Sequence, residues 1–151
     1  MMRYFKPKLT VVNLNSIDAC HGNFTSYLRN MHRADHATGW LWDYIQTQIP
    51  EMAGNTILMI MPECGRNLNP NPIKDENDWL GYDHSDDNAR RIFGLMAGPN
   101  VDSNLVIGSE TNPVGHSADM VPTIADIFGI KETVYNTGLL AGNARSLFDR
   151  I

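Results

Sequence analysis

Thr56–Met61 reads Thr-Ile-Leu-Met-Ile-Met, a continuous apolar run bounded by Asn55 and Pro62. Polar and apolar residues do not alternate in it, so neither face of a strand here would be polar. Runs of this kind are typical of strands that are buried on both faces, as in parallel sheets. The run therefore predicts a central strand in an α/β fold.

The preceding segments predict a strand and a helix. Lys8–Leu14 is rich in β-branched residues and predicts the first strand. Phe24–Gln48 carries apolar side chains at spacings of three and four residues and predicts a long helix, with Asn23 as its N-cap. Strand, helix and strand in this order predict a βαβ unit with parallel strands and a right-handed crossover.

Three further elements complete the predicted fold. Ile92–Ala97 predicts another buried strand, Leu105–Gly108 a short edge strand, and Met120–Phe128 a helix for which Asp119 is a candidate N-cap. Together they predict a single α/β domain of three layers, with a mostly parallel sheet flanked by helices. Residues 67–87, the Asn-rich loop, separate the second and third predicted strands, and loops of this length are usually functional.

Composition excludes several classes of partner. The chain has 151 residues and a formal charge of −5, and no basic cluster is larger than Arg90-Arg91, which argues against nucleic acid and a polybasic membrane patch. No apolar run reaches the roughly 18 residues of a membrane span. The amino-terminal residues also lack the apolar stretch of a signal peptide. The compartment stays open, and a longer parent protein could be periplasmic or secreted.

Side chains that can bind metals occur at the predicted ends of strands. One pair follows the first strand, one follows the second, and one approaches the third from the Asn-rich loop. In open α/β sheets ligands bind at the carboxyl ends of strands, and carboxylate, imidazole and thiolate groups hold divalent cations. The candidate ligands are Asp18, His21, Glu63, Cys64, Asp83 and His84.

Individual roles within this predicted site have alternatives. Glu63 could bind a second cation or act as a base, or it could be an ordinary loop acid. Cys64 could be a ligand or a small buried apolar residue. Arg66 could hold a phosphate or sulfate oxyanion, or form a structural ion pair. His116 is a candidate for a further ligand. A separate interpretation is a redox or structural-zinc module built on the two cysteines and His21.

The order of these motifs resembles the carboxyl-terminal half of the alkaline phosphatase/sulfatase superfamily. An uncharacterised bacterial branch carries Asp-Thr-His-Gly, Glu-Phe-Gly-Arg and Gly-x-Asp-His. Here the corresponding motifs read Asp18-Ala19-Cys20-His21-Gly22, Glu63-Cys64-Gly65-Arg66 and Gly81-Tyr82-Asp83-His84. Val121–Ile130 is similar to the family's Pro-Thr-Ile/Leu helix that ends in Gly-Ile. The resemblance extends roughly from Lys8 to Ile130.

This resemblance implies a metal-dependent hydrolase of phosphate or sulfate esters with an alkaline phosphatase-like fold. One divalent cation, zinc or manganese or the calcium of sulfatases, would be bound by Asp18, His21 and His84. Glu63-Cys64 stands where the family has the Asp-His ligands of a second cation. Glu63 and Arg66 are the catalytic candidates, with Arg66 on the oxyanion.

The family's nucleophile comes from segments that precede the matched motifs. The resemblance therefore implies that the chain corresponds to a carboxyl-terminal portion of the fold. A homo-oligomer or an amino-terminal partner would then cover an exposed sheet edge. A degenerate, non-catalytic module for binding or assembly on the same scaffold is the alternative function.

Overall fold

The structure, a computed structural model, describes residues 2–151. Their contacts divide the chain into two compact units, a first unit that ends at Val101 and a second unit that spans Asp102–Ile151. The single domain stays a prediction, because compactness alone does not show which part of a chain folds independently.

The first unit is built around one long helix. The short helix α1 spans Met2–Phe5 and the long helix α2 spans Phe24–Gln48. The side chain of Asn23 accepts a hydrogen bond from the Ser26 backbone N–H at 2.7 Å, which satisfies one of the free donors at the start of α2. The predicted bounds and N-cap of this helix are confirmed.

The buried apolar residues of the first unit lie at the end of α2, in the turn before it and in the 3-10 helix at Asp87–Arg90. Ile45 and Ile49 are 4% and 1% exposed, and Cys20 and Ala89 are also buried. Although α2 is 25 residues long, no helix within residues 2–151 is both long and apolar enough to span a bilayer.

The sheet has two strands, and they run antiparallel. Strand β1 spans Leu58–Ile60 and strand β2 spans Leu95–Ala97, within two of the predicted strands. The register places Met59 opposite Met96. The predicted mostly parallel, three-layer α/β sheet of alkaline phosphatase type is therefore wrong.

The connection between β1 and β2 explains this difference. Parallel neighbours need a crossover, usually a helix, that returns the chain to the end of the sheet where the first strand began. The described chain between the strands has only the Asn-rich loop and a 3-10 helix at Asp87–Arg90. It therefore enters β2 at the end where it left β1, and the pair is antiparallel.

The outer two predicted strands do not form within the described residues. Lys8–Leu14 and Leu105–Gly108 adopt neither helix nor strand. Their β-branched side chains face solvent, with Val11 82% and Val106 87% exposed. A strand needs a neighbour to pair with, and β propensity alone does not supply one.

The second unit is helical. A 3-10 helix at Ser117–Asp119 leads directly into α3 (Met120–Ile127), and α4 (Lys131–Tyr135) follows. The helix predicted over Met120–Phe128 is confirmed. Gly129, with a φ of 68°, adopts the left-handed conformation that commonly ends a helix.

Asp119 is buried rather than a side-chain cap of α3. Its Oδ2 accepts from the His116 backbone N–H at 2.7 Å, and its Oδ1 accepts from the Arg145 backbone N–H and from Arg150 Nη2, each at 2.9 Å. Burial alone would raise the pKa of Asp119, but the hydrogen bonds from these three residues outweigh it and lower the pKa. The carboxylate thus organises the second unit.

Candidate metal centre

Asp18, His21 and His84 lie together in the first unit, and their ligand atoms are all within 4.8 Å of one another. Asp18 Oδ1 is 3.4 Å from His21 Nε2 and 3.5 Å from His84 Nε2. Two ligands at zinc distance in a tetrahedral site stand about 3.4 Å apart. Among residues 2–151 no other three His, Cys, Asp or Glu side chains come this close. We call these three residues the Asp-His-His cluster.

Asp83 contacts the cluster through one of its histidines. Asp83 Oδ1 is 3.2 Å from His21 Nδ1, on the opposite side of the ring from the nitrogen that faces Asp18. The rings of His21 and His84 meet edge to face with centroids 4.6 Å apart. The Asp18 side chain is 60% exposed and the two imidazoles about a third, which leaves room for a water or substrate ligand.

The turn before α2 holds the first two members of the cluster, and Cys20 anchors that turn. Cys20 is buried, and its Sγ donates to the Ser16 carbonyl and accepts from Asn30 Nδ2 of α2, both at 3.3 Å. Asn30 Nδ2 also lies 2.9 Å from the Ser16 carbonyl. These contacts give Cys20 a structural role in placing Asp18 and His21.

The Asn-rich loop folds back onto this turn and brings the third member of the cluster. Asn71 Nδ2 donates to the His21 carbonyl at 2.9 Å. Gly81 is buried against the backbone of His21 and Gly22, with no space for a side chain. The Asn67 backbone N–H donates to the Asp83 carbonyl at 2.7 Å. These contacts place Asp83 and the adjacent His84 beside His21.

Asp75 ties the same loop to the start of α2. Its Oδ2 accepts from the Thr25 backbone N–H at 2.7 Å, and its Oδ1 accepts from the N–H groups of Asn77 and Trp79. Burial alone would raise the pKa of Asp75, but these hydrogen bonds lower it to about 2. The negative charge also lies favourably at the positive end of the helix dipole.

Arg66 links three parts of the first unit. Its Nη2 donates to the carbonyl of Ile17, the residue that directly precedes Asp18, at 2.9 Å. Its Nη1 donates to the Tyr82 carbonyl at 3.3 Å. The guanidinium also lies 5.0 Å from the centre of the Tyr27 ring on α2. Both terminal nitrogens are thus bonded within the protein, and a role on an oxyanion stays a prediction.

We expect Arg66→Lys to destabilise the first unit by about 1.5–3 kcal/mol, because a single ammonium cannot replace a forked donor to two carbonyls. Urea unfolding followed by tryptophan fluorescence measures this, since all three tryptophans lie in the first unit. Arg29→Lys, at an exposed position of α2, is the matched control and should change stability by less than about 0.5 kcal/mol. Equal stability of the two variants would show that the Arg66 contacts are not structural.

Glu63 and Cys64 lie beyond β1 and outside the Asp-His-His cluster. Glu63 is exposed, and Cys64, like Cys20, is a free cysteine. Burial raises the pKa of the Cys64 thiol, and the negative charge of Glu63 raises it further. Their roles in a second metal site stay predictions. His116 lies in the second unit, where its backbone contacts Asp119.

The first unit also has a cleft of about 310 Å³, lined by Cys20 and Tyr82, which lie near cluster residues in sequence, and by five further residues. Its walls include Phe24, Tyr27, Tyr82 and Arg66. The Phe24 ring lies 5.9 Å from Tyr27 and 5.6 Å from Tyr82, centroid to centroid. Asn67 and Asn88 also line the cleft, so its surface is about as polar as it is apolar.

Comparisons with protein-family models, with curated proteins and with solved structures found no match for the chain. The resemblance to the alkaline phosphatase/sulfatase superfamily therefore stays a prediction.

Proposed function

We propose that this protein binds a divalent cation through Asp18, His21 and His84. The observation that carries the proposal is the convergence of one carboxylate oxygen and two imidazole nitrogens, with Asp18 Oδ1 at 3.4 and 3.5 Å from the two Nε2 atoms. Two histidines and one carboxylate, with a further position open to water, are the ligands of many catalytic zinc sites.

The ligand set favours zinc. Imidazole suits zinc, whose place in the Irving–Williams order is well above that of manganese. Calcium prefers six to eight oxygen ligands, and the cluster has only one carboxylate. We therefore expect zinc to bind more tightly than manganese and calcium to bind most weakly.

The reaction class that fits this centre is metal-assisted hydrolysis of a phosphate or sulfate ester. A cation held in this way polarises an ester oxygen or lowers the pKa of a bound water. Asp18, shared by both histidines, would hold the cation, and the exposed Glu63 is the candidate base. The motif resemblance supports this ester class, and the cleft lined in part by Phe24, Tyr27 and Tyr82 is the candidate space for the organic part of the substrate.

Calorimetric titration with zinc tests the cation site. We expect the wild-type chain to bind one zinc. His21→Ala or His84→Ala removes a ligand, so each should weaken zinc binding by more than the roughly 10–100-fold loss seen when a residue that only supports a ligand is replaced. His32→Ala and His36→Ala, at exposed positions of α2, are controls that should leave the affinity unchanged. Absence of zinc binding by the wild type, or equal binding by all four variants, would contradict the proposal.

A metal-binding module without hydrolytic activity is the competing function. It is favoured by Arg66, whose two terminal nitrogens are bonded to the carbonyls of Ile17 and Tyr82. Hydrolysis of p-nitrophenyl phosphate and p-nitrophenyl sulfate separates the two functions. A hydrolysis rate that requires zinc, and that is lost when a chelator is added and in His84→Ala, supports the hydrolase. A zinc-binding protein with no such rate is the non-catalytic module.

A further inference from the structure

We propose that Asp83 is a positioning residue that fixes the orientation and proton position of His21, an inference that rests on the proposed cation site. Asp83 Oδ1 lies 3.2 Å from His21 Nδ1, whereas His21 Nε2 faces Asp18. Asp83 therefore acts on the cation through His21 and is not itself a ligand.

A neutral imidazole carries its proton on either Nδ1 or Nε2. The hydrogen-bond partners of the two nitrogens decide which of them is protonated. An ionised carboxylate can only accept hydrogen bonds. Asp83 consequently holds the proton on Nδ1, so that the lone pair of Nε2 points toward Asp18 and His84. Metal-bound histidines commonly donate their second ring nitrogen to a carboxylate in this way.

Asp18 is the competing carboxylate for the proton of His21. Its Oδ1 lies 3.4 Å from His21 Nε2, a longer contact than the 3.2 Å between Asp83 and Nδ1. The same Asp18 oxygen is also shared with His84 Nε2 at 3.5 Å. Only the Asp83 contact has the geometry of a hydrogen bond, so the proton belongs on Nδ1.

A positioning residue must itself be held in place, and Asp83 is held through the backbone. The Asp83 carbonyl accepts from the Asn67 N–H at 2.7 Å, and the preceding carbonyl of Tyr82 accepts from Arg66. The Asn67 side chain in turn accepts from the N–H groups of Ser85 and Asp86 at 2.6 and 2.9 Å. The segment that carries Asp83 is therefore fixed on both sides.

The tautomer of His21 in the metal-free protein tests the inference without any cation. Long-range ¹H–¹⁵N spectra are recorded at about pH 9, above the ordinary histidine pKa. The imidazole signal that is missing from the spectrum of His21→Gln is assigned to His21. We expect Nδ1–H in the wild type and Nε2–H in Asp83→Ala. Wild-type Nε2–H, or an unchanged tautomer in Asp83→Ala, would overturn the proposal. If Asp83→Ala does not fold, Asp83→Leu takes its place. Leucine is similar in size to the native residue and also lacks the acceptor oxygen.

Zinc affinity supplies the second measurement. Asp83→Ala should weaken zinc binding about 10–100-fold, and Asp83→Asn, which keeps an acceptor oxygen, should recover part of the loss. Asp87→Ala is the matched control, because it removes the same charge from a side chain that is 96% exposed, and it should bind zinc normally. Equal affinity of the Asp83→Ala and Asp87→Ala proteins would overturn the positioning role. If the wild type binds no zinc, the proposed cation site fails, and the tautomer still decides whether Asp83 orients His21.

Discussion

Replacing Arg150 with Met should destabilise the second unit by about 3–5 kcal/mol, because it leaves a buried carboxylate without its cation. Asp119 is 0% exposed. Arg150 meets both of its oxygens, with Nε 2.7 Å from Oδ2 and Nη2 2.9 Å from Oδ1. After the substitution only the backbone N–H groups of His116 and Arg145 would face the charge.

Amide hydrogen exchange in α3 measures this loss, since exchange reports local opening. Exchange should become roughly 100- to 4,000-fold faster, because each 1.4 kcal/mol corresponds to a factor of ten. Arg145→Met is the matched control: Arg145 is exposed and meets Asp119 through its backbone alone. If both variants exchange equally fast, the ion pair contributes nothing specific.

The pH dependence of the Arg150→Met effect follows from the lowered pKa of Asp119. A carboxyl whose folded pKa lies below its ordinary value of 3.8 adds stability above that value and loses it as the pH falls through the folded pKa. Once Asp119 is protonated, it no longer needs the cation. The stability difference between wild type and Arg150→Met should therefore be full at neutral pH and shrink as the pH falls into the acid range in which Asp119 of the variant becomes protonated.

The helices could be predicted from the sequence because their signals are local. Phe24–Gln48 combines an apolar spacing of three and four residues with an N-cap at Asn23, and both act within a few residues of chain. Met120–Phe128 likewise has a local signal at its end, because Gly129 adopts the left-handed conformation that commonly ends a helix.

The sheet could not be predicted because pairing is non-local. The apolar run Thr56–Met61 identifies a strand correctly, yet nothing within it specifies the partner or the direction of that partner. Lys8–Leu14 has the same β-branched character and pairs with no strand in the described chain. Propensity therefore marked candidate strands, and the connections decided which of them paired.

The cluster was predicted for a reason that the structure does not support. Asp18, His21 and His84 were expected to meet at the shared edge of parallel strands. They meet instead because polar side chains, among them Asn71 and Asp75, fasten the Asn-rich loop to the turn and helix beside it. Such long-range hydrogen bonds leave no periodicity in the sequence.

The roles of Asp119 and Asp75 were missed for related reasons. Asp119 precedes a helix, which made a capping role the natural prediction, and its partner Arg150 lies 31 positions away. Asp75 lies in a stretch rich in turn-forming residues, where an acid usually faces solvent. A local clue was present at Asp75, since Asp side chains often accept from the backbone two residues further on, as this one does from Asn77.

We expect Gly81→Ala to disrupt both the first unit and the proposed cation site. A Cβ at position 81 would overlap the His21 carbonyl oxygen and lie 3.1 Å from Gly22 Cα. Both contacts are with backbone, so a change of side-chain rotamer cannot relieve them, and the Asn-rich loop has to move away from the turn. Overpacking of this kind costs about 1–3 kcal/mol. Because the movement separates His84 from His21, zinc affinity should fall at least about tenfold, the equivalent of 1.4 kcal/mol.

Gly39→Ala is the matched control for Gly81→Ala, because Gly39 lies inside α2 and a Cβ there would meet no atom within 4 Å. It should stabilise the protein by about 0.8–1.0 kcal/mol, the difference in helix propensity between the two residues, and leave zinc binding unchanged. Urea unfolding and zinc titration of both variants make the comparison. Wild-type stability and zinc affinity in Gly81→Ala would show that the loop does not pack on the His21 backbone, and the cluster would then lose its structural basis.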